Sequence, residues 1–167
     1  MKKTMLVIVI FVVYLVSVSA HTDRVVDAVE GHTAPFLRVE KNDTIVSLDQ
    51  FRGKYLLLTF WSSTDAQSRI SCKEYSRMFD DCDSKTKFSH IAINFDCSER
   101  LFEEIVRRDK LNPESQFYAM GDNAAQLMKD YHLQRGFKTL LVDPQGQVIA
   151  KNPTIKHLTE MFSLYRY

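Results

Sequence analysis

The side chains with the most reactive chemistry in this chain are three cysteines, Cys72, Cys82 and Cys97. A cysteine thiolate attacks sulfur, and a pair of thiols can exchange with a disulfide. Because three is an odd number, at least one thiol stays free or pairs with another chain. The alternative for all three is that each packs as a small buried hydrophobic side chain.

Other catalytic or ligand-binding patterns are not predicted. The five histidines are scattered and show neither His-Glu-x-x-His nor Cys-x-x-Cys spacing, so no metal site is expected. Ser68 lacks the Gly-x-Ser-x-Gly context of a serine nucleophile, and no glycine-rich phosphate loop occurs, so no cofactor is expected. A net charge of +1 provides no large basic field, and nucleic-acid binding is therefore not predicted.

The first twenty residues are typical of a secretory signal peptide. Lys2 and Lys3 precede an apolar run, and Val-Ser-Ala ends the segment Met1–Ala20. The apolar run of about 14 residues is shorter than the roughly 20 needed to span a bilayer. We therefore expect a periplasmic or secreted protein, with membrane contact only if the segment is not cleaved and serves as an anchor.

Residues 21–167 are expected to form a single domain in which strands alternate with helices. The continuous apolar run Tyr55–Trp61 predicts a strand buried on both faces, a helix should follow over Asp65–Asp83, and His90–Phe95 predicts a second buried strand. Shorter strands are predicted at Phe36–Glu40, Thr44–Val46, Gln116–Met120, Thr139–Val142 and Gln147–Ala150, and further helices should begin at Asp96, Asp122 and Pro153.

Four segments in this order resemble the thioredoxin-like redoxins of the peroxiredoxin (AhpC/TSA) and TlpA–ResA type. They are Gly31–Phe36, Val46–Tyr55, Leu58–Trp61 and Leu141–Gly146. The resemblance extends over residues 30–165 and implies an α/β, thioredoxin-like fold with a mixed central sheet and helices on both faces. It also implies a family of thiol–disulfide oxidoreductases and peroxidases.

The chain departs from that family at the position of the redox motif. Active members carry Cys-x-x-Cys at the start of the helix after the central strand, where this chain has Asp65 and Ser68. A carboxylate and a hydroxyl cannot perform thiol–disulfide exchange, so no catalytic residue is predicted here. The run Thr64–Gln67 instead matches a capping box, which indicates a structural role at the helix start.

A second family feature is also replaced. A cis-proline normally precedes the strand before the hairpin, but the corresponding stretch here is Gly136–Thr139, and either Phe137 or Lys138 takes the proline position. A cis peptide bond without proline costs about 2.5–4 kcal/mol, so a trans bond is expected.

These observations favour a non-catalytic binding or accessory module that holds a protein or peptide partner in the groove of the former active site. An alternative is a divergent thiol–disulfide oxidoreductase that uses Cys72 and Cys97, which could approach one another if the helix packs against the end of the second strand. A third interpretation is a purely structural domain of an envelope assembly. The predicted rim of the groove consists of Trp61, Thr64, Asp65, Ser68, Arg69, Phe137 and Lys138.

Overall fold

The computed structural model describes residues 30–41, 44–81 and 86–164. The predicted signal peptide and Cys82 lie outside these residues. The strands are β1 (Arg38–Lys41), β2 (Thr44–Ser47), β3 (Tyr55–Trp61), β4 (Phe88–Asn94), β5 (Gln116–Tyr118), β6 (Thr139–Val142) and β7 (Val148–Lys151). The helices are α1 (Ala66–Asp80), α2 (Glu99–Asp109), α3 (Gly121–Asp130) and α4 (Ile155–Leu164). Within the described ranges, no helix combines the length and apolar character needed to cross a membrane.

Five strands form a mixed central sheet in the order β5-β4-β3-β6-β7. The central strand β3 pairs in parallel with β4 and antiparallel with β6, and in the parallel pair Trp61 lies opposite Asn94. The carboxyl ends of β3 and β4 therefore meet at one end of the sheet. The loops that follow these two strands are neighbours there, which brings residues 62–65 close to residues 95–98.

Both faces of the sheet are covered, as the apolar run of β3 predicted. On one face Leu57 packs in a cluster with Tyr75 of α1 and Leu158 of α4. On the opposite face Leu58 packs in a cluster with Leu127 of α3. The α/β fold with helices on both sides of a mixed sheet is thus confirmed.

The segment before β1 lies along the outer side of β7. Thr33 forms an isolated antiparallel bridge with Gln147, the Gly31 N–H donates to the Val148 carbonyl at 2.8 Å, and the Val148 N–H donates to the His32 carbonyl at 2.9 Å. This segment supplies hydrogen-bond partners for Val148, the first residue of the outermost strand.

The hairpin between β6 and β7 forms as the Asp-Pro-Gln-Gly signal predicted. The Asp143 carboxylate accepts hydrogen bonds from the N–H groups of Gln145 and Gln147, at 2.9 and 2.8 Å. Gly146 has φ of +84°, a conformation that glycine adopts without strain.

Two predicted helix starts are wrong by a few residues. The N-cap of α3 is Met120, which makes no side-chain cap, and Asp122 lies within the first turn. The N-cap of α2 is Ser98, whose hydroxyl accepts from the Leu101 N–H at 3.5 Å. Asp96 does not cap α2, because its carboxylate is used by the neighbouring loop, as described below.

Candidate functional site

The helix that follows the central strand begins at an aspartate cap. Asp65 has extended backbone angles, and its Oδ1 accepts a hydrogen bond from the Ser68 N–H at 2.7 Å. Hydrogen bonding to the side chain and backbone of Ser68 lowers the pKa of Asp65. The capping role that the sequence predicted is present, but Asp65 and Ser68 perform it, whereas Thr64 and Gln67 were the residues expected.

Ser68 is buried beside this cap. Its hydroxyl donates to the Asp65 carbonyl at 3.2 Å and accepts from the Ser62 N–H at 3.3 Å. The side chain therefore links the first turn of α1 to the loop after β3. Both residues at the motif position thus serve to hold the start of the helix.

A buried carboxylate fixes the loop after β3 from the other side. Asp96 Oδ1 accepts from the Ser62 hydroxyl at 2.6 Å and from the Ser63 N–H at 2.7 Å, while Oδ2 accepts from the Asn94 side-chain amide at 3.0 Å. Asp96 is only 6% exposed. With three hydrogen bonds to its two oxygens, this carboxylate anchors the loop to the end of β4.

Sequence reasoning missed this anchor. Asp96 and Glu99 resembled a capping box, so the sequence indicated a local role for Asp96 and gave no sign of its long-range contact with Ser62 and Ser63. The available signal was topological, since residues after two neighbouring parallel strands meet at the same end of the sheet.

A groove of about 570 Å³ runs beside α1, between that helix and the segments that flank β6 and β7. Four of the predicted rim residues line it, namely Asp65 and Ser68 on the α1 wall and Phe137 and Lys138 on the opposite wall. The sequence analysis did not place the remaining lining residues at the groove; they are Phe60, Gln67, Ser71, Glu74, Tyr75, Gly136, Thr139, Asn152, Pro153, Thr154 and Ile155.

Three predicted rim residues do not line the groove. Trp61 was wrongly placed at the rim, because it is fully buried and packs against Phe102 of α2 with ring centroids 6.3 Å apart. Thr64 is exposed, but its hydroxyl faces the Ser62 hydroxyl at 2.9 Å. Arg69 forms two hydrogen bonds with Asp109, at 2.7 and 2.8 Å.

The Phe137 wall of the groove has an open main chain. Among the backbone hydrogen bonds between described residues, none involves the N–H or C=O of Phe137, whereas the next carbonyl, of Lys138, accepts from the Phe60 N–H at 3.0 Å. The peptide bonds of the described residues are all trans, which confirms the expectation for this stretch. The Phe137 ring packs against Phe95 at a centroid distance of 5.6 Å.

The two cysteines within the described residues are free thiols in different environments. Cys72 is fully buried, its sulfur lies 3.7 Å from Gln116 Oε1, and burial raises the pKa of its thiol to about 12. Cys97 is exposed, one residue after Asp96. The inward direction predicted for Cys72 is confirmed, and its burial makes it a poor nucleophile.

A second cavity, of about 840 Å³, lies between α2, β5 and β1. Phe102, Val106 and Tyr118 contribute to its lining together with charged side chains of α2 such as Glu103 and Arg107. None of the site residues predicted from the sequence lines this cavity.

Comparison with known proteins places the chain in a family. The sequence profile of the AhpC/TSA family matches residues 30–157. A thioredoxin-like protein from Parabacteroides distasonis shares 31% identity and a TM-score of 0.69, with 82% of this chain and 96% of that chain covered. A search of the curated proteins gave no significant match.

Two further solved structures share the fold at lower identity. The thioredoxin domain of a thiol-disulfide oxidoreductase from Bacteroides vulgatus is 22% identical, with a TM-score of 0.69 over 83% of this chain and 99% of that chain. A thiol:disulfide interchange protein from a Bacteroides species is 23% identical, with a TM-score of 0.66 over 82% and 90% of the two chains. The domain is therefore a thioredoxin-like redoxin. The chain belongs to the AhpC/TSA family.

Proposed function

We propose that this chain is an exported, non-catalytic thioredoxin-fold module that holds an extended segment of a partner protein in the groove beside α1. The observation that carries the proposal is the use of Asp65 and Ser68 as the cap of α1. Both positions at which related redoxins need sulfur hold oxygen side chains, and both are engaged in local hydrogen bonds.

The environment of Cys72 argues against a displaced redox centre. Thiol–disulfide exchange needs an accessible thiolate and a second thiol to release the mixed disulfide. Cys72 is fully buried, and burial raises its pKa to about 12, so only about one thiol in ten thousand would be ionised at pH 8. The alternative function that uses Cys72 and Cys97 therefore has no support from this thiol.

The groove itself supports a binding role. Its Phe137 wall presents a main-chain N–H and C=O that make no backbone hydrogen bond to a described residue. An extended peptide can add its own main-chain hydrogen bonds to such an edge, while pockets select its side chains. The half-buried Phe137 ring provides an apolar contact next to this edge.

Export is part of the proposal and rests on residues 1–20. The basic start, the apolar run and the small residues at its end match a secretory signal. The partner would then be periplasmic or extracellular, and signal cleavage can be tested by mass spectrometry of the protein recovered from cells.

The catalytic part of the proposal is tested by the reduction of insulin with dithiothreitol. We expect the wild-type protein and Cys72→Ser to give the rate of dithiothreitol alone. Acceleration by the wild type that is lost in Cys72→Ser would contradict the proposal and establish a displaced thiol centre.

The binding part is tested with a displayed library of random nonapeptides. We expect the full chain to retain a peptide pool that Phe137→Ala retains poorly. Phe36→Ala is the matched control, because Phe36 is 71% exposed and does not line the groove. Equal retention by all three proteins would contradict the groove as a binding site and favour a purely structural domain.

A further inference from the structure

One side of α2 carries an ordered row of charges. Four charged residues follow one another at intervals of four, four and three positions, namely Glu99, Glu103, Arg107 and Lys110. Residues three or four positions apart are neighbours on a helix surface, so these four form one row, called the charged row below. All four side chains are exposed, and all four line the cavity between α2, β5 and β1. The two acids stand at the start of the row and the two bases at its end.

The charged row is not neutralised within the molecule. The ion pairs between described residues are Arg52–Asp49, Arg69–Asp109 and Lys156–Glu160. None of these pairs includes a residue of the charged row. Even Glu103 and Arg107, four positions apart on the helix, form no ion pair in the described part of the chain. The four charges are therefore available to another molecule.

The cavity beside the charged row has an apolar floor. Phe102 of α2 stacks on Tyr118 of β5 at a ring-centroid distance of 5.7 Å, and both rings line the cavity. Val106 and Leu111 also line it, together with Met120, which is 64% exposed. An apolar centre with charged residues around it is the usual composition of a protein–protein interface, and methionine is enriched there.

This cavity lies at an uncovered edge of the sheet. β5 is the outermost strand on this side, and no described strand pairs with its outer edge. β1 forms the far wall of the cavity but pairs with β2. On the opposite side of the sheet, by contrast, the segment before β1 forms hydrogen bonds with β7. An uncovered edge strand is a place where another chain can approach.

We propose that this face binds a second copy of the same chain about a twofold axis, with the two α2 helices side by side and antiparallel. A twofold interface uses the same patch on both copies, so the patch must complement itself. The charged row meets this condition, because reversing its direction places its acids opposite its bases. With the axis near residue 105, Glu103 faces Arg107 of the second copy, and Glu99 faces Lys110 of the second copy.

A second copy fits the charged row better than a partner of one charge sign. The row holds two acids and two bases, so a uniformly basic or acidic partner would be attracted at one end and repelled at the other. An antiparallel copy matches all four positions, and symmetry repeats each contact. The inference is independent of the groove beside α1, because the cavity and the groove share no lining residue.

Sedimentation velocity over a range of concentrations tests the proposal with the protein purified from cells. We expect the wild type to form a dimer. Glu103→Arg and Arg107→Glu should each weaken the dimer roughly tenfold or more, because each places like charges opposite one another at two symmetry-related positions. The double variant E103R/R107E should restore the dimer, since acids and bases face each other again.

The double variant also separates the interface from an effect on the helix itself. Acids at the start of a helix and bases at its end stabilise it through the helix dipole, and E103R/R107E reverses that order. Recovery of the dimer in this variant therefore reports on contacts between copies. Glu104→Arg is the matched control and should dimerise like the wild type, because Glu104 is exposed on α2 but does not line the cavity. Circular dichroism confirms that each variant is folded.

Three outcomes would overturn the inference. A wild-type protein that stays monomeric at high micromolar concentration would exclude the second copy and leave the cavity to another occupant, such as a peptide or an amphiphile. Single reversals that dimerise as strongly as the wild type would place any dimer interface elsewhere. A folded double variant that remains monomeric while Glu104→Arg dimerises would contradict the antiparallel pairing of the two charged rows.

Discussion

The Asp65 carboxylate stabilises the first turn of α1 through the hydrogen bond that it accepts from the Ser68 N–H at 2.7 Å. An N-terminal carboxylate also interacts favourably with the helix dipole. These two contributions are local, and they do not need the groove to be occupied. The stability of the free protein should therefore report on the cap.

Replacement of Asp65 by alanine should remove the cap. We expect Asp65→Ala to lower the free energy of unfolding by about 1 kcal/mol, while Asp65→Asn changes it little because asparagine also caps well. Since the pKa of Asp65 is lower in the folded state, the cap contributes fully above the unfolded pKa and is lost as pH falls through the folded pKa. Urea unfolding at neutral and acidic pH measures both effects, and a stable alanine variant would contradict this role.

His90 belongs to β4, and its side chain is buried in the core between that strand and α1. Its Nε2 lies 3.2 Å from the Thr59 hydroxyl, and its ring packs on Phe79 at a centroid distance of 5.2 Å. Burial lowers the pKa of His90 to about 3, so the ring is neutral in the folded protein at physiological pH.

This histidine should make the protein sensitive to mild acid. In the unfolded chain His90 takes up a proton below its ordinary pKa of about 6.5, whereas in the folded chain it does so only near 3. Stability should therefore fall as pH decreases from about 6.5 toward 3. A His90→Gln variant should show a flatter stability profile in this window, measured by urea unfolding at several pH values. Identical profiles for the two proteins would show that another group causes the acid sensitivity.

At the level of secondary-structure elements, Arg69 and Asp109 join α1 to the end of α2. The guanidinium makes two hydrogen bonds to the carboxylate, at 2.7 and 2.8 Å, and the Asp109 side chain is only 8% exposed. The hydrogen bond from Arg69 lowers the pKa of Asp109. Paired hydrogen bonds of this kind fix the relative orientation of the two groups as well as stabilising them.

Removal of the Asp109 charge should loosen this junction. We expect Asp109→Asn to lower the free energy of unfolding by about 2 kcal/mol at neutral pH, because hydrogen bonds to charged groups contribute about 1.5–3 kcal/mol. The difference between wild type and variant should disappear as pH falls through the folded pKa of Asp109. Asp49→Asn provides the control, since that carboxylate lies at a more exposed ion pair with Arg52.

The strands of the sheet were predicted more accurately than the ends of the helices. Tyr55–Trp61 and Thr139–Val142 have the predicted bounds, because continuous burial leaves a strong apolar pattern in the sequence. A helix start depends on which donor a capping side chain finds, and the Asp96 carboxylate accepts from the Ser62 hydroxyl across the sheet end instead of from an N–H of its own helix. The local spacing of residues does not indicate which of these partners the carboxylate binds.

In the candidate site too, features set by local pattern were predicted better than those set by long-range contacts. Local pattern predicted a cap at the start of α1 but assigned it to Thr64, whereas Asp65 is the N-cap. The lining by Phe137 and Lys138 followed from the resemblance. Trp61 was misplaced because it lies next to the position of the redox motif. The prediction that its strand is buried on both faces already argued against a place at the rim. Glu74 was not predicted at the groove, because the groove exists only where segments distant in sequence form its opposite wall.

At the scale of the whole molecule, the scaffold fixes the loop and the helix start that carry positions 65 and 68. The loop after β3 is held by Asp96, and α1 begins next to it, as a helix start that can stabilise a thiolate requires. A pair of cysteines at positions 65 and 68 would lie in one helical turn, a spacing compatible with a disulfide.

The double variant Asp65→Cys/Ser68→Cys should therefore form an intramolecular disulfide and accelerate insulin reduction above the wild-type rate. Mass spectrometry with and without reductant detects the disulfide as the loss of two hydrogens. The single variant Asp65→Cys is the control, because it has a nucleophile but no resolving thiol. A double variant that remains reduced in oxidised glutathione would contradict the view that the scaffold is competent.

The pairing of residues 31–34 with β7 has a consequence for solubility. An outer strand with open backbone groups is a template for pairing with other molecules, and Ile149 on β7 is 41% exposed. Residues 31–34 cover the start of this edge through hydrogen bonds such as the one from the Gly31 N–H to the Val148 carbonyl. Proteolytic removal of the residues before Pro35 would therefore expose this edge of the sheet. The trimmed protein should self-associate under conditions in which its core is still folded.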